Sequence, residues 1–334
     1  LARLGDTVVL ATAVLKKTPR DNIDYFPLMV DYEERLYAAG KIKGSRWVKR
    51  EGRATDDAVL TGRVIDRTLR PMFPYGMRND VQIVATVLSV DGENDPDMVA
   101  VNAASMALHI SNIPFDGPVG GVRVGKVDGE YIVNPTHEQR EKSEMDLIVC
   151  GTAEHVIMVE MGANLVPEQD IVEGIKFAQI HLKALAEAQV KFRAEVGQEK
   201  IAPVIHELNA QVVEKVTELL TSEKIEAAVY VPVKAERETN MNAMIEEITA
   251  SVKEAVGDLD GVNVGKDTYD AIDKILKKYQ QKQILEHERR VDGRPLNETR
   301  KISAEVGVLP RTHGSALFTR GETQVLGAIT LGTG

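Results

Sequence analysis

At 334 residues the chain is longer than one hydrophobic core usually serves, so two or more domains are expected. Its 43% hydrophobic and 28% charged content excludes a disordered polymer, and aromatics at 4% leave the cores to Val, Ile, Leu and Ala. The net charge of -10 argues against indiscriminate binding of polyanions, the apolar runs Val8 to Leu15 and Val81 to Val90 are too short to span a bilayer, and a single cysteine, Cys150, excludes an internal disulfide and is compatible with a reducing cytoplasm.

The chain opens at Leu1 without an initiator Met and stops directly after a strand pattern, so it reads as an internal portion of a longer protein. Asp6 to Leu15 is β-branched and apolar and predicts a buried strand, and Tyr25 to Tyr32 predicts its partner, with Pro27 at an edge or bulge. Gly40 to Pro71 then concentrates positive charge: residues 41 to 70 hold nine basic side chains against four acidic ones, a local net of +5. Within this stretch Thr55 or Asp56 can cap a helix running to Arg70, stopped by Pro71 and Pro74. Ala58, Val59, Gly62, Ile65 and Leu69 form its inward stripe, while Arg63, Arg67 and Arg70 share another face.

Val81 to Val90 predicts the next strand. Asp95-Pro96 then supplies the cap and first position of a helix through His109, thinned by Ala100, Ala103, Ala104 and Ala107 for close approach to a sheet. Gly117 to Val124, Tyr131 to Val133, Asp146 to Cys150 and His155 to Met161 predict short strands, and Pro167 starts a long amphipathic helix ending near Gly197. After Pro203 strand patterns nearly vanish. Three helical segments are expected, roughly Val204 to Leu220, Arg237 to Val256 and Tyr269 to Glu288, and residues 203 to 287 carry 16 acidic and 10 basic side chains, too acidic to grip nucleic acid by charge alone. From Val291 the β pattern returns and the sequence repeats itself: Gly5-Asp6-Thr7-Val8-Val9-Leu10 aligns with Gly321-Glu322-Thr323-Gln324-Val325-Leu326, pointing to a duplicated domain separated by a helical insert.

Common catalytic motifs fail: there is no GxxxxGK[ST], no GxGxxG after a strand, no HExxH and no metal-ligand spacing among the His residues. Asp56-Asp57 and Asp95-Pro96-Asp97 are candidate Mg²⁺ ligands that helix capping explains more simply. The basic loop stands apart. Arg46, Lys49, Arg50 and Arg53 surround Trp47, pairing cations for phosphates with a base-stacking surface, as sequence-tolerant single-strand binders do. Two alternatives stay open: Trp47 tucked into a core or interface, and Arg63, Arg67 and Arg70 paired to Asp66 and neighbouring acids.

FPLMVDYEERLYAAGKIKGSRWVKREGR, GRVIDRTLRPMFP, NDVQIVATVLSVD, IPFDGPVGGVRVG and RVDGRPLNETRKISAEVGVLPRTHGSALFTRGETQ together resemble the bacterial polynucleotide phosphorylase family over essentially the whole chain. The resemblance implies an α+β fold in three parts: residues 1–200 a first RNase PH-like domain of mixed sheets backed by helices, truncated at its N-terminus; 201–288 an all-helical domain; and 289–334 the beginning of a second RNase PH-like domain, truncated at its C-terminus. It implies a cytoplasmic homotrimeric nucleotidyltransferase that degrades single-stranded RNA, not DNA, from 3' to 5', with inorganic phosphate as co-substrate, nucleoside diphosphates as product and a role in RNA processing and mRNA decay. Mg²⁺ and the catalytic residues are expected outside this chain, so no catalytic or metal-binding residue is assigned in it. Arg46, Trp47, Lys49, Arg50, Arg53, Arg63 and Arg67 are the RNA-binding candidates, and Arg311, His313 and Arg320 are candidates for approaching the second domain's active site. The rival readings are a non-catalytic RNA-binding or assembly module and an RNase PH-type enzyme trimming tRNA 3' ends.

Overall fold

The computed structural model describes residues 1–20, 23, 25–42, 53–205, 207–257 and 259–332. They divide into two units, Leu1–His206 and Glu207–Gly334.

The first unit begins with a hairpin. β1 (Ala2–Leu4) and β2 (Thr7–Pro19) pair antiparallel, with Leu4 opposite Thr7 across Gly5-Asp6. Gly5 turns at φ +58°, a left-handed conformation that favours glycine. The Asp91 carboxylate fixes the turn by accepting hydrogen bonds from the Asp6 amide at 3.0 Å and the Thr7 hydroxyl at 3.1 Å. β3 (Leu28–Glu34) and β4 (Asn79–Ser89) complete a sheet ordered β1-β2-β4-β3. The stretch expected to partner the first strand therefore does not pair with it: β3 runs parallel to β4, which lies between them. A parallel neighbour needs a crossover, and the crossover is α1 (Asp56–Leu69).

α2 (Pro96–Ile110) follows, capped by Asp95 as the sequence predicts. A second, antiparallel sheet is ordered β6-β5-β7-β8, from β5 (Gly120–Val127), β6 (Glu130–Val133), β7 (Met145–Gly151) and β8 (Val156–Ala163). The short helix α3 (His137–Lys142) precedes β7, and α4 (Glu168–Val196) runs from Pro167 as expected. Strand alternation places this second sheet between two helices. Ile148 and Cys150 of β7 join the core containing α1, α2 and the first sheet, whereas Leu147 and Val149 pack with Ala178 and Leu182 of α4. Gly121 keeps α2 close, because a Cβ there would lie 2.8 Å from Val101. Small residues on both sides of this contact bring the start of α2 within reach of β5.

In the second unit, residues 207 to 287 form four helices rather than three: α5 (Ala210–Leu219), α6 (Ser222–Val229), α7 (Lys234–Val256) and α8 (Val264–His287). The expected first helix ends where it was expected to, after Leu219, and the additional helix is α6, which follows Leu220 (φ -88°, ψ 75°) and starts where the Thr221 hydroxyl accepts a hydrogen bond from the Lys224 amide. The expected first helix does not begin at Val204, because Ile205, still part of the first unit, is extended and bridges Met77. Val212, Val216, Ile225, Ile248, Val252 and Ile272 build the helical core. β9 (Ile302–Val306), β10 (Gly314–Arg320) and β11 (Thr323–Ile329) form a sheet ordered β11-β10-β9. Its β10–β11 hairpin repeats the opening of the chain in three dimensions, with Arg320 opposite Thr323 and Gly321 at φ +61°.

Candidate nucleic-acid interface

α1 and its C-terminal cap carry three of the described cations of the basic stretch, Arg63, Arg67 and Arg70. The Thr55 hydroxyl accepts from the Ala58 amide at 3.1 Å, and Asp56 and Asp57 complement the positive end of the helix dipole. The inward face is Ala58, Gly62, Val64, Ile65, Thr68 and Leu69. Val59 is not part of it: one residue past Ala58, its side chain turns away from the core and is 49% exposed.

The three arginines expected to share a face have three different environments. Arg70 is committed to structure: it grips Asp66 through Nη2 at 2.6 Å and Nε at 3.0 Å, and donates to the backbone carbonyls of Phe26 at 2.8 Å and Leu28 at 3.3 Å. For this residue the ion-pair alternative holds. Arg67 makes a solvated pair with Glu160 of β8 at 3.3 Å. Arg63 is exposed and makes no ion pair among the described residues. With Arg53 and Lys41 it lines a cleft of about 1490 Å³ walled by β3, α1 and the start of α2. Arg46, Trp47, Lys49 and Arg50 lie outside the described residues, between Lys41 and Arg53 in sequence.

The inner wall of the same cleft holds a charged network that motif reading missed. Arg123 projects from β5 toward the start of α2, where it pairs with Asp97, with Asp146 of β7 and, at 3.6 Å, with Asp95. Arg140 of α3 closes the set by pairing with Asp95 and, at 2.7 Å, with Asp146. Three carboxylates meet two guanidinium groups, and both Asp97 and Arg123 are buried. Burial, aided by the charge of Asp95, pushes the Asp97 carboxyl up to about 6 despite Arg123. Burial works against the Arg123 cation, but its acidic neighbours hold its pKa above the usual value. The signal for this network lay in Gly-Gly-Val-Arg-Val-Gly, where one charge stands at an inward position of an apolar strand and demands a buried acid. These cations are already neutralised, so the interior of the cleft ties α2, α3 and the second sheet together while its rim carries the available positive charge.

In the other unit, Arg311, His313 and Arg320 are exposed around the β10–β11 hairpin. His313 Nδ1 accepts a hydrogen bond from the Leu331 amide at 2.9 Å, which ties down the chain after β11. Among the described residues no group of three or more His, Cys, Asp or Glu could hold a metal ion, and no helix is long and apolar enough to cross a membrane.

Sequence models place this architecture among known proteins. The 3' exoribonuclease family, domain 1, matches residues 1–114 and 298–334; domain 2 of the same family matches 117–180; and the polyribonucleotide nucleotidyltransferase RNA-binding domain matches 211–295. Curated proteins named polyribonucleotide nucleotidyltransferase from Heliobacterium modesticaldum, Halothermothrix orenii and Syntrophomonas wolfei are 48%, 47% and 48% identical over 100%, 99% and 99% of this chain. The chain belongs to the polyribonucleotide nucleotidyltransferase family. It spans about half the length of the curated relatives it matches, 46%, 47% and 46% respectively. Among solved structures, that of rice (Oryza sativa) Rrp46 matches with a TM-score of 0.47 at 15% identity, covering 57% of this chain and 86% of that one. The α+β fold expected of a polyribonucleotide nucleotidyltransferase, with RNase PH-like sheets backed by helices and a helical region, agrees with these family matches.

Proposed function

We propose that the parent protein is a phosphorolytic 3'-to-5' exoribonuclease acting in the cytoplasm as a homotrimer, and that this portion guides single-stranded RNA. The observation that carries the reading is Arg63, which has no ion pair among the described residues and stands on the rim of the α1 cleft that Lys41 and Arg53 also line, in a chain of net charge -10. Phosphorolysis requires a strand held in register, an inorganic phosphate placed in line with the terminal phosphodiester, and compensation of the charge that develops there. Phosphate oxygen attacks phosphorus, the bond to the 3' oxygen of the preceding nucleotide breaks, and a nucleoside diphosphate leaves while the shortened strand keeps its 3' hydroxyl. The described residues serve the first requirement. They offer no ligand set for the Mg²⁺ expected to assist.

On this reading residues 1–200 act as the guiding domain, 201–288 as a helical domain and 289–334 as the beginning of the domain that cleaves. The helical region's net charge of -6 over 203 to 287, from 16 acidic and 10 basic residues, means that any RNA contact it makes depends on local geometry rather than overall attraction. Arg46, Trp47, Lys49, Arg50, Arg53, Arg63 and Arg67 are the proposed RNA contacts, and Arg311, His313 and Arg320 the proposed approach to the active site.

The test is the salt dependence of oligoadenylate binding by the full-length protein. Replacing Lys49, Arg50 and Arg53 together by Ala is expected to weaken binding and reduce the slope of log K against log salt by about 0.7 for each phosphate that is no longer neutralised. An unchanged slope would refute the guiding role. Separately, the full-length protein should release nucleoside diphosphate from poly(A) only when phosphate is present, whereas the 334-residue chain should release none.

A further inference from the structure

The pair between Arg67 and Glu160 differs in kind from the other arginine contacts of the cleft. Arg67 Nη1 stands 3.3 Å from Glu160 Oε2, and the two side chains are 51% and 48% exposed. Arg70, by contrast, is held by a carboxylate fork and two backbone carbonyls, and Arg123 is buried among three carboxylates. Exposed single pairs of the first type are weak because water competes for both partners. The partners also come from separate elements: Glu160 sits on β8, opposite Ile148 of β7, and lines the cleft that Arg63 lines. Arg63 and Arg67 are one helical turn apart along α1, about 6 Å at 1.5 Å per residue, a spacing suited to successive charges on an extended strand. A phosphate engaged by Arg63 would thus leave its neighbour beside a guanidinium that is already occupied, though only loosely.

We propose that Glu160 is a competing anion that holds Arg67 in reserve, and that single-stranded RNA anchored at Arg63 displaces it to make the next phosphate contact. The inference rests on the RNA-guiding reading given above. Arginine binds phosphate through two parallel charge-assisted hydrogen bonds, whereas a single contact at 3.3 Å joins it to Glu160, so the exchange favours phosphate once the strand is in place. The carboxylate left beside the strand then repels it, so Glu160 lowers affinity in both the free and the bound state. Binding at this rim becomes weaker than its count of arginines would give, which suits a surface over which a strand must advance.

The experiment is a double-mutant cycle on the full-length protein, measured by fluorescence anisotropy with a labelled oligoadenylate across a KCl series in the absence of phosphate. Glu160→Gln is expected to tighten binding, by up to about fivefold for a surface pair of this exposure. Arg67→Ala should cost more in the Glu160→Gln background than in the parent, because only there is Arg67 fully available. If Glu160→Gln changes nothing, or tightens binding equally with and without Arg67, the assignment of Glu160 is overturned. Arg63→Ala separates this outcome from failure of the underlying reading. A weakened affinity and salt slope in Arg63→Ala with an additive cycle removes only the role of Glu160, whereas unchanged affinity and slope in Arg63→Ala mean that α1 does not face RNA at all.

Discussion

Replacing Arg123 by Met should expose the energetics of the buried network, because the substitution keeps much of the side-chain volume and removes only the cation. Arg123 and Asp97 have 8% and 10% side-chain exposure. After the substitution Asp95 and Asp146 would retain Arg140, but among the described residues Asp97 would keep only the hydrogen bond from the Met98 amide. One carboxylate is therefore stranded, and removing one partner of a buried pair typically costs about 3–5 kcal/mol. With a urea m-value of roughly 2 kcal/mol per molar, the midpoint of the first unit should fall by roughly 2 M at pH 7.5. The same measurement at pH 5 should show a smaller loss, since Asp97 already titrates at about 6 and without Arg123 will hold its proton more firmly. Adding Asp97→Asn to Arg123→Met should recover much of the stability at pH 7.5. Far-UV circular dichroism followed through urea is sufficient. A loss below about 1 kcal/mol, or one independent of pH, would refute the view that Arg123 compensates a buried charge.

The contrast along α1 gives a second expectation: Arg70→Ala should destabilise the first unit by about 1–2 kcal/mol, discounted for its 40% exposure, while Arg63→Ala should leave the urea midpoint unchanged. A third concerns pH. His109 is buried with neither ring nitrogen hydrogen-bonded among the described residues, and burial, with the charges of Arg193 and Lys200, pushes its pKa down to about 4 from 6.5. It contributes stability that is present above pH 6.5 and lost as pH falls through 4, whereas the raised Asp97 contributes stability present below 3.8 and lost as pH rises through about 6. The two oppose each other over the same window. Stability of Asp97→Asn should therefore rise with pH between 4 and 6.5 and that of His109→Gln should fall, read as urea midpoints. Matching slopes in the two variants would contradict the assignment.

Elements with strong local signals were legible in the sequence. α2 announced itself by Asp95-Pro96, α4 by Pro167 and a long apolar stripe, and the repeated Gly5 and Gly321 turns by their shared sequence, because caps, prolines and left-handed glycines act within a few residues. Errors fell where the deciding contact is distant. Nothing near Leu28 reveals that β3 pairs with β4 rather than β2, and the unexpected α6 is short and is held by Ile225 and Val229 packing into the helical core. Helical periodicity predicted a shared face for Arg63, Arg67 and Arg70, but it could not show that Phe26, Leu28 and Glu160 come within reach of two of them.

Composition, pattern and family resemblance by themselves determined that this is an α+β chain with a helical region and a β repeat, and that its positive charge gathers in residues 41–70. Only the tertiary structure decided which of the described charges on α1 are available. A cation's sequence neighbours fix its position on a helix, whereas most of its partners come from other elements: Arg70 pairs with Asp66 on its own helix but also binds the backbone of Phe26 and Leu28, Arg67 leans on β8, and Arg63 meets no acid among the described residues. The closed Arg123 network depends in the same way on β5, β7, α2 and α3 meeting at one point, because electrostatic pairing is set by distance in space.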